Sequence, residues 1–153
     1  MKYKSCAILL LRIAVGVVFV YHGWDKIQNM ADYQGFFNTI GLGSWLAFVA
    51  YVELLAGVAL IIGFNTRIAA MLGLIVMLVA IMKVHWIHGF NSMQGGYEYA
   101  FVLCLNFIAL MILGSGRHST DAMYGTCLLS KMGYCKKDGI CEVDHNSKKC
   151  DCC

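Results

Sequence analysis

The sequence predicts an all-α membrane protein: a bundle of four transmembrane helices, with a short interfacial segment between helices 1 and 2 and a cysteine-rich C-terminal tail. Hydrophobic residues make up 59% of the chain and charged residues only 14%, and proline is absent. This composition is typical of membrane proteins rather than soluble ones. Four apolar stretches complete the prediction, because each is close to the roughly 20 residues that cross a bilayer as a helix.

The four apolar stretches follow one another along the first three quarters of the chain. The first, Ala7 to Trp24, is interpreted as a retained anchor, because it is too long for a signal peptide and no small-residue cleavage site follows. The others cover Ser44 to Phe64, Arg67 to Trp86 and Tyr97 to Gly114. Met30 to Gly43 is too short to cross and too apolar for water, so a short interfacial helix and an ordinary loop both remain open.

Charge and aromatic placement predict the orientation. The chain divides into a transmembrane domain, residues 1–114, and a polar tail, residues 115–153. Four crossings put both termini on one side of the membrane. Every lysine and arginine lies toward that side except Lys26 and Lys83. The positive-inside rule therefore places the termini in the cytoplasm of a bacterial cell, with the bundle in its inner membrane. The predicted partner is the lipid bilayer. Nucleic acid is excluded because the basic residues form no stripe interleaved with aromatic residues.

Ionisable residues within or near the spans are the candidate catalytic groups: Arg12, His22, Lys26, Glu53, His85 and Glu98. Such groups are costly in hydrocarbon, so each is expected to face another helix, a water-filled cavity or the headgroups. One face of the first helix carries four polar or small residues within an arc of about 80°: Arg12, Gly16, Gly23 and Lys26. This face is therefore expected to point into the bundle. Lys83 lies nearly opposite His85 on its helix and is expected to snorkel to the headgroups.

Glu53 is expected to lie inside the bundle, because the small residues Ala50, Ala56 and Gly57 share its face. A rise of about 1.5 Å per residue puts Glu53 roughly 13 Å from one boundary of the core and Arg12 about 9 Å from the other, so Arg12 is its predicted partner. The remaining candidates then form a second layer around a polar cavity that opens outward above Glu53. The alternative is that these residues only form ion pairs that hold the helices in register.

Six of the eight cysteines lie in the tail, together with His145. Cys135, Cys141, His145 and one of three later cysteines can supply a four-coordinate site for Zn²⁺ or Cu⁺. Those three later candidate ligands are Cys150, Cys152 and Cys153. The spacing matches no standard zinc finger, so thiol exchange and a disordered tail without activity remain open.

Several segments resemble the DoxX family of small four-helix membrane proteins: LLRIAVGVVFVYHGWDKI, YVELLAGVALIIGFNTRIAA, VHWIHGF and GGYEYAFVLCLNFIALMILGSGRHSTD. The resemblance implies electron transfer between a thiol or sulfur compound and the quinone pool, with a partner subunit or a soluble oxidoreductase. The motif residues it carries over are Arg12, His22, Gly23, Lys26, Glu53, Arg67, His85, Gly96, Glu98, Arg117 and Asp121.

Quinone reduction requires a slot between apolar helices and groups that deliver protons. Tyr21, Trp24, Trp86 and Tyr97 are the residues expected to flank a quinone ring. The chain carries no dinucleotide fingerprint, haem-attachment motif or regular cluster-binding cysteine spacing. We therefore predict an oxidoreductase subunit that works with a partner, a cofactor without a motif, or its own thiols.

The alternative function is a non-enzymatic one. The chain would then be a scaffold for a soluble oxidoreductase, or a permeation unit for a small molecule or metal. A permeation role would need a homo-oligomer, because four spans are few for a transporter acting alone.

Overall fold

A computed structural model describes residues 2–116 and 119–122, with side chains from residue 5 onward. All regular secondary structure in this part of the chain is helical. The candidate metal ligands of the tail lie outside the described residues, and so does Arg117. These ligands are Cys135, Cys141, His145, Cys150, Cys152 and Cys153.

Five α-helices make up the fold: α1 (Lys2–Gln28), α2 (Met30–Thr39), α3 (Leu46–Ile62), α4 (Thr66–Ala80) and α5 (Glu98–Leu113). Each predicted apolar stretch is therefore confirmed as helical. Helix α4 continues through a π-helical segment, Ile81–His85, and a 3₁₀ turn, Trp86–His88. The segment between the first two spans is also a helix, so the alternative of an ordinary loop is wrong.

Three helical segments are long and apolar enough to cross a membrane: Ser5–Gln28, Gly43–Ile62 and Thr66–His88. Helix α5 is apolar but has only 16 residues, and at about 1.5 Å per residue it is shorter than a hydrocarbon core of about 30 Å. By length and composition, three helical segments can therefore cross a membrane. The fourth crossing, and with it the common side of the two termini, stays a prediction.

Helices α1 and α3 approach each other through glycines. A Cβ atom added at Gly23 would lie 2.5 Å from the backbone nitrogen of Leu54, and one added at Gly57 would lie 2.7 Å from that of Val20. These distances leave no room for a side chain, and small residues are what allow helix backbones such close approach in membranes. The predicted inward direction of the Gly16, Gly23 and Gly57 faces is confirmed.

Helices α4 and α5 form a second close pair, in which Gly73 lies against the ring of Phe107. The two pairs meet where the rings of Phe19 and Phe107 pack edge to face, with their centroids 4.8 Å apart. Around this contact the buried core includes Val15, Leu60, Ala70 and Leu110. These residues lie in the half of the bundle that contains the α3–α4 turn, and the other half holds a smaller buried cluster of Ile81, Ala100 and Cys104.

Candidate functional site

A cavity of about 650 Å³ occupies that other half and is bordered by all five helices. Its volume is in the usual range of small-molecule sites, which is about 300–1,000 Å³. Most of its wall is apolar and aromatic, including Phe19, Tyr33, Phe36, Phe37, Trp45 and Phe48. Its polar groups are few: His22, Lys26, Glu53, Lys83 and His85.

The buried Glu53 carboxylate forms an ion pair with Lys26, which joins α3 to α1. Only 2% of Glu53 is exposed, so its predicted burial is confirmed. An ionised group at this depth requires such a partner, because desolvation alone would strongly disfavour its charge. The pair borders a mostly apolar cavity and places a proton acceptor and a proton donor there.

The prediction that Arg12 pairs with Glu53 was wrong. The Arg12 guanidinium donates from Nε to the carbonyl of Leu60 at 2.9 Å, from Nη2 to that of Ile61 at 3.1 Å, and from Nη1 to that of Ser115. Helical side chains lean toward the N-terminus of their helix. On α1 this tilt carries Arg12 away from Glu53 and carries Lys26, from the opposite end, toward it.

Arg12 instead belongs to a second cluster, at the α3–α4 turn. Its carbonyl partners on α3 lie in the last helical turn, where carbonyls lack intrahelical donors. On the other side of the turn, the Asp121 carboxylate accepts hydrogen bonds from the backbone nitrogens of Asn65 and Thr66, at 2.6 and 3.0 Å. A cation at the end of α3 and an anion at the start of α4 both complement the helix dipoles. We assign this cluster a structural role.

Both predicted histidines line the cavity. His22 is an exposed residue of α1, whereas His85 ends the π-helical segment and its Nδ1 lies 2.6 Å from the carbonyl oxygen of Gly95. Lys83 also lines the cavity, which corrects its predicted position on the opposite side from His85.

Glu98 does not line the cavity, contrary to the prediction. Its carboxylate accepts a hydrogen bond from the backbone nitrogen of Ser92, 3.2 Å away, and so supports the loop that precedes α5. The four aromatic residues predicted to flank a quinone ring lie elsewhere. Tyr21 and Trp24 are more than half exposed, and Trp86 stacks on Tyr97 with ring centroids 5.7 Å apart. None of these four borders the cavity.

Sequence reasoning missed the apolar groups that α2 and the residue after it contribute. Tyr33, Phe36, Phe37 and Ile40 all line the cavity. Their spacing of i, i+3, i+4 and i+7 is that of one helical face, and this signal was present in the sequence. The Tyr33 hydroxyl donates a hydrogen bond to the Asp25 carboxylate, which raises the pKa of Tyr33 to about 12 and keeps the phenol neutral.

This arrangement can bind a flat apolar molecule and exchange protons with its polar end. The aromatic wall suits a ring, and the Lys26–Glu53 pair supplies groups that carry protons. Within residues 2–116 and 119–122, no three His, Cys, Asp or Glu side chains lie close enough together to hold a metal ion.

Comparison with known proteins identifies similar sequences. The DoxX family model matches residues 7–86. A Bacillus subtilis (strain 168) protein named "Putative oxidoreductase CatD" is 38% identical over 108 residues, which are 70% of this chain and 78% of that protein. "Inner membrane protein YqjF" of Escherichia coli (strain K12) is 27% identical over 125 residues, 80% of this chain and 95% of that protein. No solved structure matches the chain.

Proposed function

The chain belongs to the DoxX family of membrane proteins, and we propose that it is a subunit of a membrane oxidoreductase system that links thiols or sulfur compounds to the quinone pool. The name of the B. subtilis relative describes an oxidoreductase, which supports the reaction class. The observation that carries the proposal is the aromatic cavity with one buried ion pair on its wall.

The residues present fit a quinone. Its ring would lie among the aromatic side chains of α1, α2 and α3, and its oxygens can accept hydrogen bonds from Lys26, Lys83 or the histidines. A bound quinone supplies the capacity to take up two electrons and two protons. Few other polar groups border the cavity, so these side chains would also fix the orientation of the ligand.

The residues of this chain would manage the protons. Lys26 and Glu53 share a hydrogen bond, so a proton lost by the ammonium toward the ligand leaves a neutral amine beside the carboxylate. His22 and His85 can return that proton from the surface, because an imidazole can accept a proton on one ring nitrogen and release one from the other. Tyr33 stays neutral and holds Asp25, so we give it a positioning role.

Electrons would reach the cavity from a protein partner or from the thiols of the tail. The described residues contain only two cysteines, Cys6 and Cys104, and they lie in different helices. We therefore propose a partner subunit or soluble oxidoreductase as the donor. The tail cysteines, with or without bound Zn²⁺ or Cu⁺, are the second candidate donor.

We place the protein in the inner membrane of a bacterial cell, with four crossings and both termini in the cytoplasm. The positive-inside rule and the name of the E. coli relative support this placement. Helix α5 would complete the bundle, since its inner face is buried against the core through Leu103, Phe107 and Leu110.

The direct test is purification of the full chain in a mild detergent, followed by quinone extraction and metal analysis of the same sample. We expect a stoichiometric quinone in the wild type and its loss in Glu53→Gln, while Arg67→Gln, changed at an exposed residue outside the cavity, retains it. Thiol-dependent quinone reduction by the protein with its partner in liposomes would then test the reaction.

Two outcomes would contradict the proposal. One is a wild-type protein that neither retains quinone nor binds added decylubiquinone. The other is solute or metal flux in liposomes that Glu53→Gln abolishes, without any redox activity, because this result would indicate a permeation unit.

A further inference from the structure

We propose that the ligand of the cavity is an amphiphile whose long apolar tail leaves the protein sideways between α3 and α4, into the hydrocarbon of the bilayer. The inference rests on the proposed function and narrows its substrate class to long-tailed, lipid-soluble molecules. It depends on where the wall of the cavity is open.

The opening is marked by side chains that line the cavity and are also exposed at the surface of the bundle. Phe48 of α3 is 58% exposed and Ile75 of α4 is 51% exposed, and both border the cavity. Exposed lining residues also occur near helix ends, including Phe36, Trp45 and Tyr99, whereas Ile75 lies midway along its span. The wall between these two helices is therefore open along part of its height.

The packing of the bundle explains the opening. Helix α3 is held against α1 by Gly57, and α4 is held against α5 by Gly73. The two pairs are joined by the short α3–α4 turn and by the Phe19–Phe107 contact, both in the filled half of the bundle. Beyond that contact, α3 and α4 have no glycine-mediated approach to hold them together.

The opening lies at the depth of lipid tails. Ile75 is nine residues from Thr66, the start of its span, which is about 14 Å along a helix and near the middle of a core about 30 Å thick. The residues that frame it are apolar: Val49 on α3, and Val76 and Val79 on α4. Such a frame admits an alkyl or isoprenoid chain and gives water no hydrogen-bonding partner.

Helix α2 covers a further part of the cavity. Tyr33, Phe36 and Phe37 line the cavity, and hydrogen bonds hold α2 on both sides, from Tyr33 to Asp25 and from Gln34 Nε2 to the carbonyl of Gly43 at 3.0 Å. A polar head would thus lie near Lys26 and Glu53 while its tail points into the bilayer. A water-soluble substrate would have no use for the lateral opening.

The test compares two probes on the full chain in nanodiscs: decylubiquinone and the corresponding benzoquinone without a tail. Val49→Trp and Val76→Trp fill the opening from opposite walls. Val58→Trp is the matched control, because Val58 is an exposed residue of α3 that does not border the cavity. Retained quinone is quantified by mass spectrometry, and gel filtration checks that each variant is folded.

We expect both opening variants to weaken decylubiquinone binding by about tenfold or more, equivalent to about 1.4 kcal/mol, and to leave the tail-less probe unaffected. Val58→Trp should change neither. If the wild type binds both probes and the opening variants weaken both equally or neither, lateral exit is wrong and the proposed function stands. If the wild type binds neither probe, the proposed function fails and this inference fails with it. If only one variant folds, that variant decides the result.

Discussion

The ammonium of Lys26 donates a hydrogen bond to the carboxylate of Glu53 across the α1–α3 interface. Both side chains border the cavity, and Glu53 is almost completely buried. Each charge is tolerated there only because the other is present, since removal of one partner from a buried pair leaves an uncompensated charge. This dependence can be measured.

Lys26→Met should destabilise the protein by about 3–5 kcal/mol, the usual effect of breaking a buried ion pair. The double variant Lys26→Met/Glu53→Gln should recover part of this loss, because it removes the unpaired carboxylate as well. Reversible unfolding in detergent or bicelles gives the free energies. Lys83→Met is the matched control, because Lys83 is exposed and forms no ion pair within the described part of the chain. Equal stability of the two lysine variants would show that the pair is unimportant.

The helices and the burial of Glu53 could be predicted from the sequence because both follow from the cost of polar groups in lipid. A chain of this composition must form helices of membrane length, and a carboxylate flanked by Ala50, Ala56 and Gly57 must face a neighbouring helix. The inward face of α1, with Gly16 and Gly23, followed from helical periodicity alone.

The partner of Glu53 could not be predicted in the same way. Arg12 and Lys26 lie on the same arc of α1, and backbone heights favoured Arg12. The outcome was decided by side-chain tilt and by the open carbonyls at the end of α3, which bind Arg12.

The close approach of α1 and α3 predicts that Gly23 tolerates no side chain. A Cβ at this position would lie 2.5 Å from one backbone atom and 2.9 Å from another, and neither can move as a flexible side chain could. Gly23→Ala should therefore force the helices apart and destabilise the protein by about 1–3 kcal/mol, as overpacking does. Thermal unfolding of the purified variant measures the effect.

Gly35→Ala is the control for the glycine substitution. Gly35 lies within α2, and a Cβ added there would meet nothing within 4 Å. Because alanine favours helix more than glycine does, by up to about 1 kcal/mol, this variant should be neutral or slightly stabilised. A Gly23→Ala protein as stable as Gly35→Ala would mean that the two helices do not pack this closely.

The Arg12 cluster predicts that lysine cannot replace this arginine. Three carbonyls, of Leu60, Ile61 and Ser115, accept hydrogen bonds from different nitrogens of one guanidinium. A lysine ammonium lacks this fork, so Arg12→Lys should lose at least one charged hydrogen bond, worth about 1.5–3 kcal/mol. Arg67→Lys, at an exposed position on α4, should leave the free energy of unfolding unchanged. The same loss in both variants would contradict a specific role for Arg12.

The hydrogen bond from Tyr33 to Asp25 predicts a stability difference that depends on pH. It raises the pKa of Tyr33 from its ordinary 10 to about 12, because only the neutral phenol can donate to the carboxylate. Its contribution is therefore complete below pH 10 and is lost as the pH rises through about 12. The stability difference between wild type and Tyr33→Phe should be constant up to pH 10 and should then shrink.

A spectrophotometric titration checks the cause of this shift. The tyrosinate absorbance of the wild type minus that of Tyr33→Phe isolates the ionisation of Tyr33, and its midpoint should lie near pH 12. In the Asp25→Asn background the same difference should titrate at a lower pH, closer to 10, because the amide carries no charge to favour the neutral phenol. If both backgrounds titrate at the same pH, Asp25 does not hold Tyr33, and α2 is attached to α1 by other contacts.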